Sequence, residues 1–255
     1  MFAIYKRELL AYFRSPVGYV AIAIFSFLSG FLFYSQFAYG QVNIGNEVLS
    51  LRSFFVIIVP IITMGLLSED KKRGTEILYY TTPVSLFSVV IGKVLAAFTL
   101  FAIMFVNVII HIIVTLCCGG VFGVGAFGTV IVFFFMAFMF ISIGMFASAI
   151  TDSQIISAIA SFIIILVTQL ITTIAGYFGT LASTVASMLG VNASNAKTIS
   201  SGITNAISWL DPFAKTQDFS LGIFSVSALV YLVSIAILFL YLTYRVLDKK
   251  RWSQA

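Results

Sequence analysis

Apolar and polar positions alternate along this chain on the scale of whole helices rather than single residues. Uninterrupted apolar runs cover about residues 17–38, 51–67, 94–116, 128–150, 155–178 and 221–244, with polar or charged stretches between them. At ~1.5 Å of rise per residue, each run is long enough for a helix to cross the ~30 Å hydrocarbon core of a bilayer. The pattern predicts an all-α polytopic membrane protein: one domain with six transmembrane helices.

The stretches between the runs carry finer predictions. Residues 2–14 place Phe2, Tyr5, Leu9, Tyr12 and Phe13 near one helical face, with Lys6, Arg7 and Arg14 mostly elsewhere. That distribution predicts an amphipathic helix lying in the membrane interface, which Pro16 separates from the first span. A polar loop containing Gln41, Asn43, Asn46 and Glu47 precedes the second span. That span is the shortest, so Arg52 is expected at its rim, and Pro60 is expected either as a packing kink or as a hinge. Gly119, Gly120, Gly123 and Gly125 predict a flexible turn before the fourth span. Thr151–Gln154 predicts a tight one after it. Residues 179–219 hold two apolar pieces, 179–190 and 203–210, around a polar middle. They read either as a re-entrant pair of short helices or as a loop carrying two surface helices.

Composition confirms the class. The 255 residues are 61% hydrophobic and only 9% charged, with a mean hydropathy of +1.12, whereas soluble domains carry about 25% charge. The location of charge is more informative than the net value of +5. Seven of the 23 charged residues lie between Ser68 and Lys93. Charge at a bilayer centre costs at least ~2.5–3.5 kcal/mol per residue, so this knot belongs in water or at a lipid surface. Within it, Thr75 is expected to cap a helix of about two turns, with Glu76 in its first turn and Pro83 ending it. Eleven of the fourteen basic residues fall in the N-terminal segment, the 68–93 stretch and the tail; Arg52, Lys197 and Lys215 fall on the other side. The positive-inside rule then places both termini and the charged stretch in the cytoplasm.

Candidate chemistry is sparse. The single histidine, His111, lies one helical turn after Asn107 in the third span, and Gln169 lies in the fifth. Such residues either bond neighbouring helices or line a pathway. Cys117 and Cys118 match no metal spacing and are expected as small core residues. No metal site, phosphate-binding loop or catalytic constellation is visible, and no carboxylate falls inside any expected span, which argues against an ion-driven carrier. Energy for any transport must therefore enter through cytoplasmic surface, and the 68–83 stub suits a soluble partner: charges for orientation, apolar side chains for affinity.

Three segments carry a resemblance. YKRELLAYFRSPVGY, EDKKRGTEILYYTTPVSLFSVVIGK and SWLDPFAKTQDFSLGIFSVSALVYL, with a terminal RVLDKKRW, resemble the permease subunits of type-2 ATP-binding-cassette exporters. The first and last are most similar to permeases grouped with gliding-motility transporters. The resemblance implies an inner-membrane protein of a bacterium that pairs with itself or a sibling permease, each permease bound to a separate cytoplasmic ATPase that holds the ATP and Mg. This chain would carry no cofactor and bind no nucleic acid. It implies a coupling segment over 68–83, with Glu69, Asp70, Arg73, Glu76, Leu78 and Tyr79 as contacts; a lateral-gate helix over 2–14 using Tyr5, Arg7, Tyr12 and Arg14; and a re-entrant pair over 179–219. In some members an accessory membrane protein with an extracytoplasmic domain joins the complex. The expected function is outward transport driven by that ATPase. The alternative is a non-transporting scaffold or sensor that recruits one.

Overall fold

A computed structural model describes residues 1–40, 42–81, 84–189 and 192–253. Helix α1 (Phe2–Arg14) is followed at once by α2 (Pro16–Ala38), whose proline occupies the first helical turn, where a missing N–H is harmless. The second crossing is not one helix. It is built from α3 (Ile44–Leu51), a 3₁₀ turn (Arg52–Phe54), α4 (Phe55–Thr63) and α5 (Ser68–Lys72). Next come α6 (Ile77–Thr81), α7 (Leu86–Cys117), α8 (Val124–Ile150) and α9 (Gln154–Met188). Then α10 (Ala193–Ser208), α11 (Pro212–Lys215), a second 3₁₀ turn (Gln217–Leu221) and α12 (Val226–Ser253) complete the fold. No strand occurs among the described residues.

Among the described residues, six helical stretches are long and apolar enough to cross a membrane: 16–38, 44–72, 86–117, 124–150, 154–188 and 226–252. Helix α8 is the centre of the bundle. Of its most apolar stretch 67% is buried, against 17–22% for α2, α9 and α12, which form the perimeter and turn large apolar side chains outward. The core is an aromatic stack. Phe55 lies 4.8 Å from Phe133 and 5.8 Å from Phe101, ring centre to ring centre, and Phe25 lies 6.2 Å from Phe101. Each such pair contributes about 0.5–1.5 kcal/mol beyond area burial. Between apolar helices in lipid, close packing of this kind is a principal source of association. Gly144 permits the nearest approach: a Cβ there would run into the Thr63 hydroxyl of α4.

The break between α4 and α5 is filled by α8. The Ser148 hydroxyl accepts from the backbone N–H groups of Leu67 and Ser68, both at 3.0 Å, and donates to the Met64 carbonyl at 3.2 Å. Backbone groups freed inside a bundle must find such partners.

Several expectations are revised. The second crossing starts at Ile44, not Leu51, because the Asn43 side chain caps α3 by accepting from Asn46 N–H. Glu47 is therefore helical and buried, not in a loop, and a carboxylate does stand inside a span. Arg52 is likewise buried rather than at a rim, donating to Thr216 at 3.1 Å. Helix α7 begins eight residues before 94, where the Ser85 side chain accepts from Ser88 N–H. Helix α9 runs on through 179–188, so the first apolar piece of the 179–219 region continues that helix. The expected polar turn is largely the body of α10, which folds back along α9, Thr204 donating to the Ala175 carbonyl at 3.3 Å. The Thr75 hydroxyl bonds back to Asp70. Pro83 lies outside the described residues. Cys117 and Cys118 are exposed, not core.

Candidate functional site

The charged stretch folds as two short helices, α5 and α6, joined by a turn in which Gly74 adopts φ +69°, a conformation suited to glycine. This turn brings Asp70 and Tyr79 together on the inner side. There they meet Lys93 of α7, which is 1% exposed. Lys93 Nζ lies 2.6 Å from Asp70 Oδ2 and 3.0 Å from Glu8 Oε2 of α1. Tyr79 donates its hydroxyl to Asp70 Oδ2 at 2.5 Å and accepts from Arg7 Nη2 at 2.9 Å. Arg7 closes the circuit on Glu8 Oε1 at 2.5 Å. Two cations, two carboxylates and one phenol thus join α1, the 68–81 segment and α7, with charge in balance. Without its acids Lys93 could not be buried, since an uncompensated ion in an apolar interior is prohibitively unfavourable.

Burial pushes the Tyr79 hydroxyl above its ordinary pKa. The Lys93 charge opposes that rise and Asp70 reinforces it. Tyr79 stays protonated and remains a donor. Partial burial works against the Arg7 charge, but hydrogen bonds to Glu8 and Tyr79 outweigh it and hold its pKa above the ordinary value. Burial likewise raises Tyr12, whose hydroxyl donates to the Ile62 carbonyl at 2.6 Å. Tyr5 meets Thr99 at 3.1 Å. So α1 is fastened to both α4 and α7, and between α1 and the start of α5 lies a cleft of about 400 Å³ lined in part by Tyr12, Arg14, Glu69, Arg73 and Gln154.

A family model described as ABC-2 family transporter protein matches residues 2–252, which include every member of this circuit. The chain belongs to the ABC-2 transporter family. No curated protein matches it. The ABC-2 permease is the membrane component of its transporter, and the family implies partnership with a cytoplasmic ATP-binding-cassette ATPase.

The residues expected as coupling contacts of this permease divide into two sets. Asp70 and Tyr79 face inward, in the circuit just described. Glu69 and Arg73 pair with each other at the surface at 2.5 Å. Leu78, with its neighbour Ile77, is exposed. Glu76 is half-buried, and its Oε2 has no hydrogen-bond partner among the described residues. Among the gate residues, Tyr5, Arg7 and Tyr12 bond the bundle, while Arg14 is exposed at the cleft.

Three residues of the site escaped sequence reasoning. Glu8 and Lys93 read only as interfacial charge and as one more positive-side lysine. The available signal was Lys93 itself, a lone cation seven residues into a helix that is otherwise apolar. Lys71 was the third. Its ammonium bonds the carbonyls of Ala149 and Thr151 at the end of α8 and lies 3.5 Å from Asp152, which Lys250 also approaches at 3.7 Å. These contacts bring the charged segment, the α8–α9 turn and the C-terminal tail to one end of the bundle.

At the other end, His111 bonds Glu47 and Ser29, as developed below. Gln169 joins α9 to the second crossing, donating to the Ser53 carbonyl at 3.0 Å. Asn107, expected either to bond a neighbouring helix or to line a pathway, has its Nδ2 buried without a partner among the described residues.

Proposed function

We propose that this ABC-2 permease forms the membrane path of an exporter and couples to a separate cytoplasmic ATPase through the 68–81 segment. The observation that carries the reading is the buried circuit on Lys93. It ties a surface-exposed, charged and apolar knob to α1 and α7, so displacement of the knob must be passed to both helices or must break ion pairs. ATP-driven closure of the motor would push on Ile77, Leu78, Glu69 and Arg73. Asp70 and Tyr79 would transmit the movement rather than touch the motor. Packed helices respond to such a push by rigid-body steps.

The basic stretches gathered at the α1 end support a cytoplasmic placement of that end and of both termini, in the inner membrane of a bacterium. Two permeases, identical or sibling, would carry two ATPases, with ATP and Mg held there. The direction of transport is outward, and the gliding-motility grouping remains our reading of the terminal segments. The α9–α10 hairpin would be the re-entrant element.

The test separates docking from folding. Ile77→Asp with Leu78→Asp changes only exposed positions, so the chain should melt within about 0.5 kcal/mol of the parent. It should lose the ATPase on co-purification in mild detergent. Retention of the ATPase with full ATP-dependent flux by that variant would defeat the reading. So would a purified assembly in which no nucleotide-hydrolysing chain contacts the segment.

A further inference from the structure

Far from the circuit, a second group of buried polar side chains stands where α2, α3 and α7 meet. His111 Nδ1 lies 2.7 Å from Glu47 Oε1. The Ser29 hydroxyl donates to the same carboxylate oxygen at 2.8 Å and lies 3.4 Å from Nδ1. Phe33 closes one face of the imidazole, its ring stacked at 4.2 Å and 10°. Glu47 is 1% exposed, and its second oxygen, Oε2, has no partner among the described residues. One turn before His111 on the same face of α7, Asn107 Nδ2 is also buried and unpaired. An unspent acceptor and an unspent donor thus flank the pair. The imidazole Nε2 is different: it makes no hydrogen bond among the described residues, and a tenth of the His111 side chain stays exposed.

Among the described residues, no other charged side chain is paired with either group. Helix α8, packed on α3, contains no titratable residue, and neither does α4. In α2 the only titratable side chains are Tyr19 and Tyr34, both exposed. Arg52 follows α3 but turns to Thr216 and the Phe213 ring. On α7 the other ionisable groups are Lys93, five turns away in the circuit, and Cys117 at the exposed end.

We propose that Glu47 and His111 form a proton-binding site inside the membrane-spanning bundle, loaded and emptied through His111 Nε2. Carboxylate and imidazole sharing one proton are neutral as a pair. Removing that proton, or adding another, leaves a net charge in apolar packing. A carboxylate on Nδ1 also fixes the imidazole tautomer and aims Nε2 outward, the arrangement by which proteins orient a histidine for proton transfer. Seating α3 between α2 and α7 and holding the proton become one event. If these helices part, water reaches both groups and each titrates alone. The site restores the possibility of ion linkage that an apparent lack of embedded carboxylates had excluded, and it does not depend on the ATPase-coupling reading.

His111 is the only histidine in the chain, so ¹⁵N-histidine labelling of the full-length protein in lipid nanodiscs reports this site without assignment. The expected spectrum shows Nδ1 carrying a proton throughout about pH 5–9, while Nε2 gains one as pH falls. In Glu47→Gln the midpoint at Nε2 should move by about one pH unit, a tenfold change in proton affinity. Ser29→Ala, which removes only the hydroxyl on the carboxylate, should move it the same way by less, and serves if Glu47→Gln does not fold. The proposal is overturned if Nδ1 is the unprotonated nitrogen, if the imidazole does not titrate in this range, or if its titration is the same in parent and variants.

Discussion

Two buried ionic groups of this permease, one near each end of the bundle, solve the same problem differently. Around Lys93, two cations meet two carboxylates, and Tyr79 supplies the hydrogen bond that completes Asp70. Around Glu47, one carboxylate meets one imidazole and keeps an oxygen without a partner. The first group cannot discharge itself cheaply, because the proton would have to leave a lysine ammonium, a far weaker acid than an imidazolium. The second can, by moving or losing one proton. A closed circuit suits a mechanical joint, which must hold while it transmits force. A half-satisfied pair suits an exchangeable site. The difference follows from the pairing alone: burial is equally deep at Lys93 and Glu47.

The comparison is most sharply broken at Lys93. Lys93→Met leaves Glu8 and Asp70 facing each other in a buried space, which should cost about 3–5 kcal/mol. Thermal unfolding in detergent should show a steep loss, and adding Glu8→Gln and Asp70→Asn to the same chain should restore much of it. A small effect of Lys93→Met would mean the circuit is open to water and holds nothing. At the other end, His111→Gln should cost less, about 1–3 kcal/mol, because one carboxylate loses a partner there, whereas Lys93→Met takes the counter-ion from two. Thermal unfolding of the two variants side by side checks the order, and an equal or larger loss in His111→Gln would erase the distinction.

Weaker changes calibrate the scale. Gly144→Ala pushes a methyl group at the Thr63 hydroxyl and should lower stability by about 1–2 kcal/mol. Thr63→Ala in the same chain should relieve part of that, as a melting experiment would read. Glu69→Gln removes an exposed ion pair with Arg73 and should shift unfolding by no more than about 0.5 kcal/mol. Any effect it has on flux would then reflect docking rather than folding.

Reversal of Glu69 and Asp70 together, the natural test of a docking knob read from sequence, would confuse the two roles. Neighbouring acids look alike in the chain, but one faces solvent and the other faces Lys93. The same limit applies at Glu47 and Arg52. Their polarity argued for a loop and a rim, because a charge in a membrane segment is unfavourable unless it is paired. Their partners, His111 and Thr216, are 64 and 164 residues away.

What the order of residues determined by itself is the partition between oil and water: six apolar stretches, an amphipathic first helix, a charged knob, basic clusters that share one side, and membership of a transporter family. Those properties depend on local composition and on helical periodicity, which are local quantities. Which charges are buried, which are exposed, and which helix continues through a polar stretch were decided only by the packed bundle. The energy of a charge or a freed backbone group is set by whatever stands within a few ångströms of it, and in this protein those neighbours come from other helices.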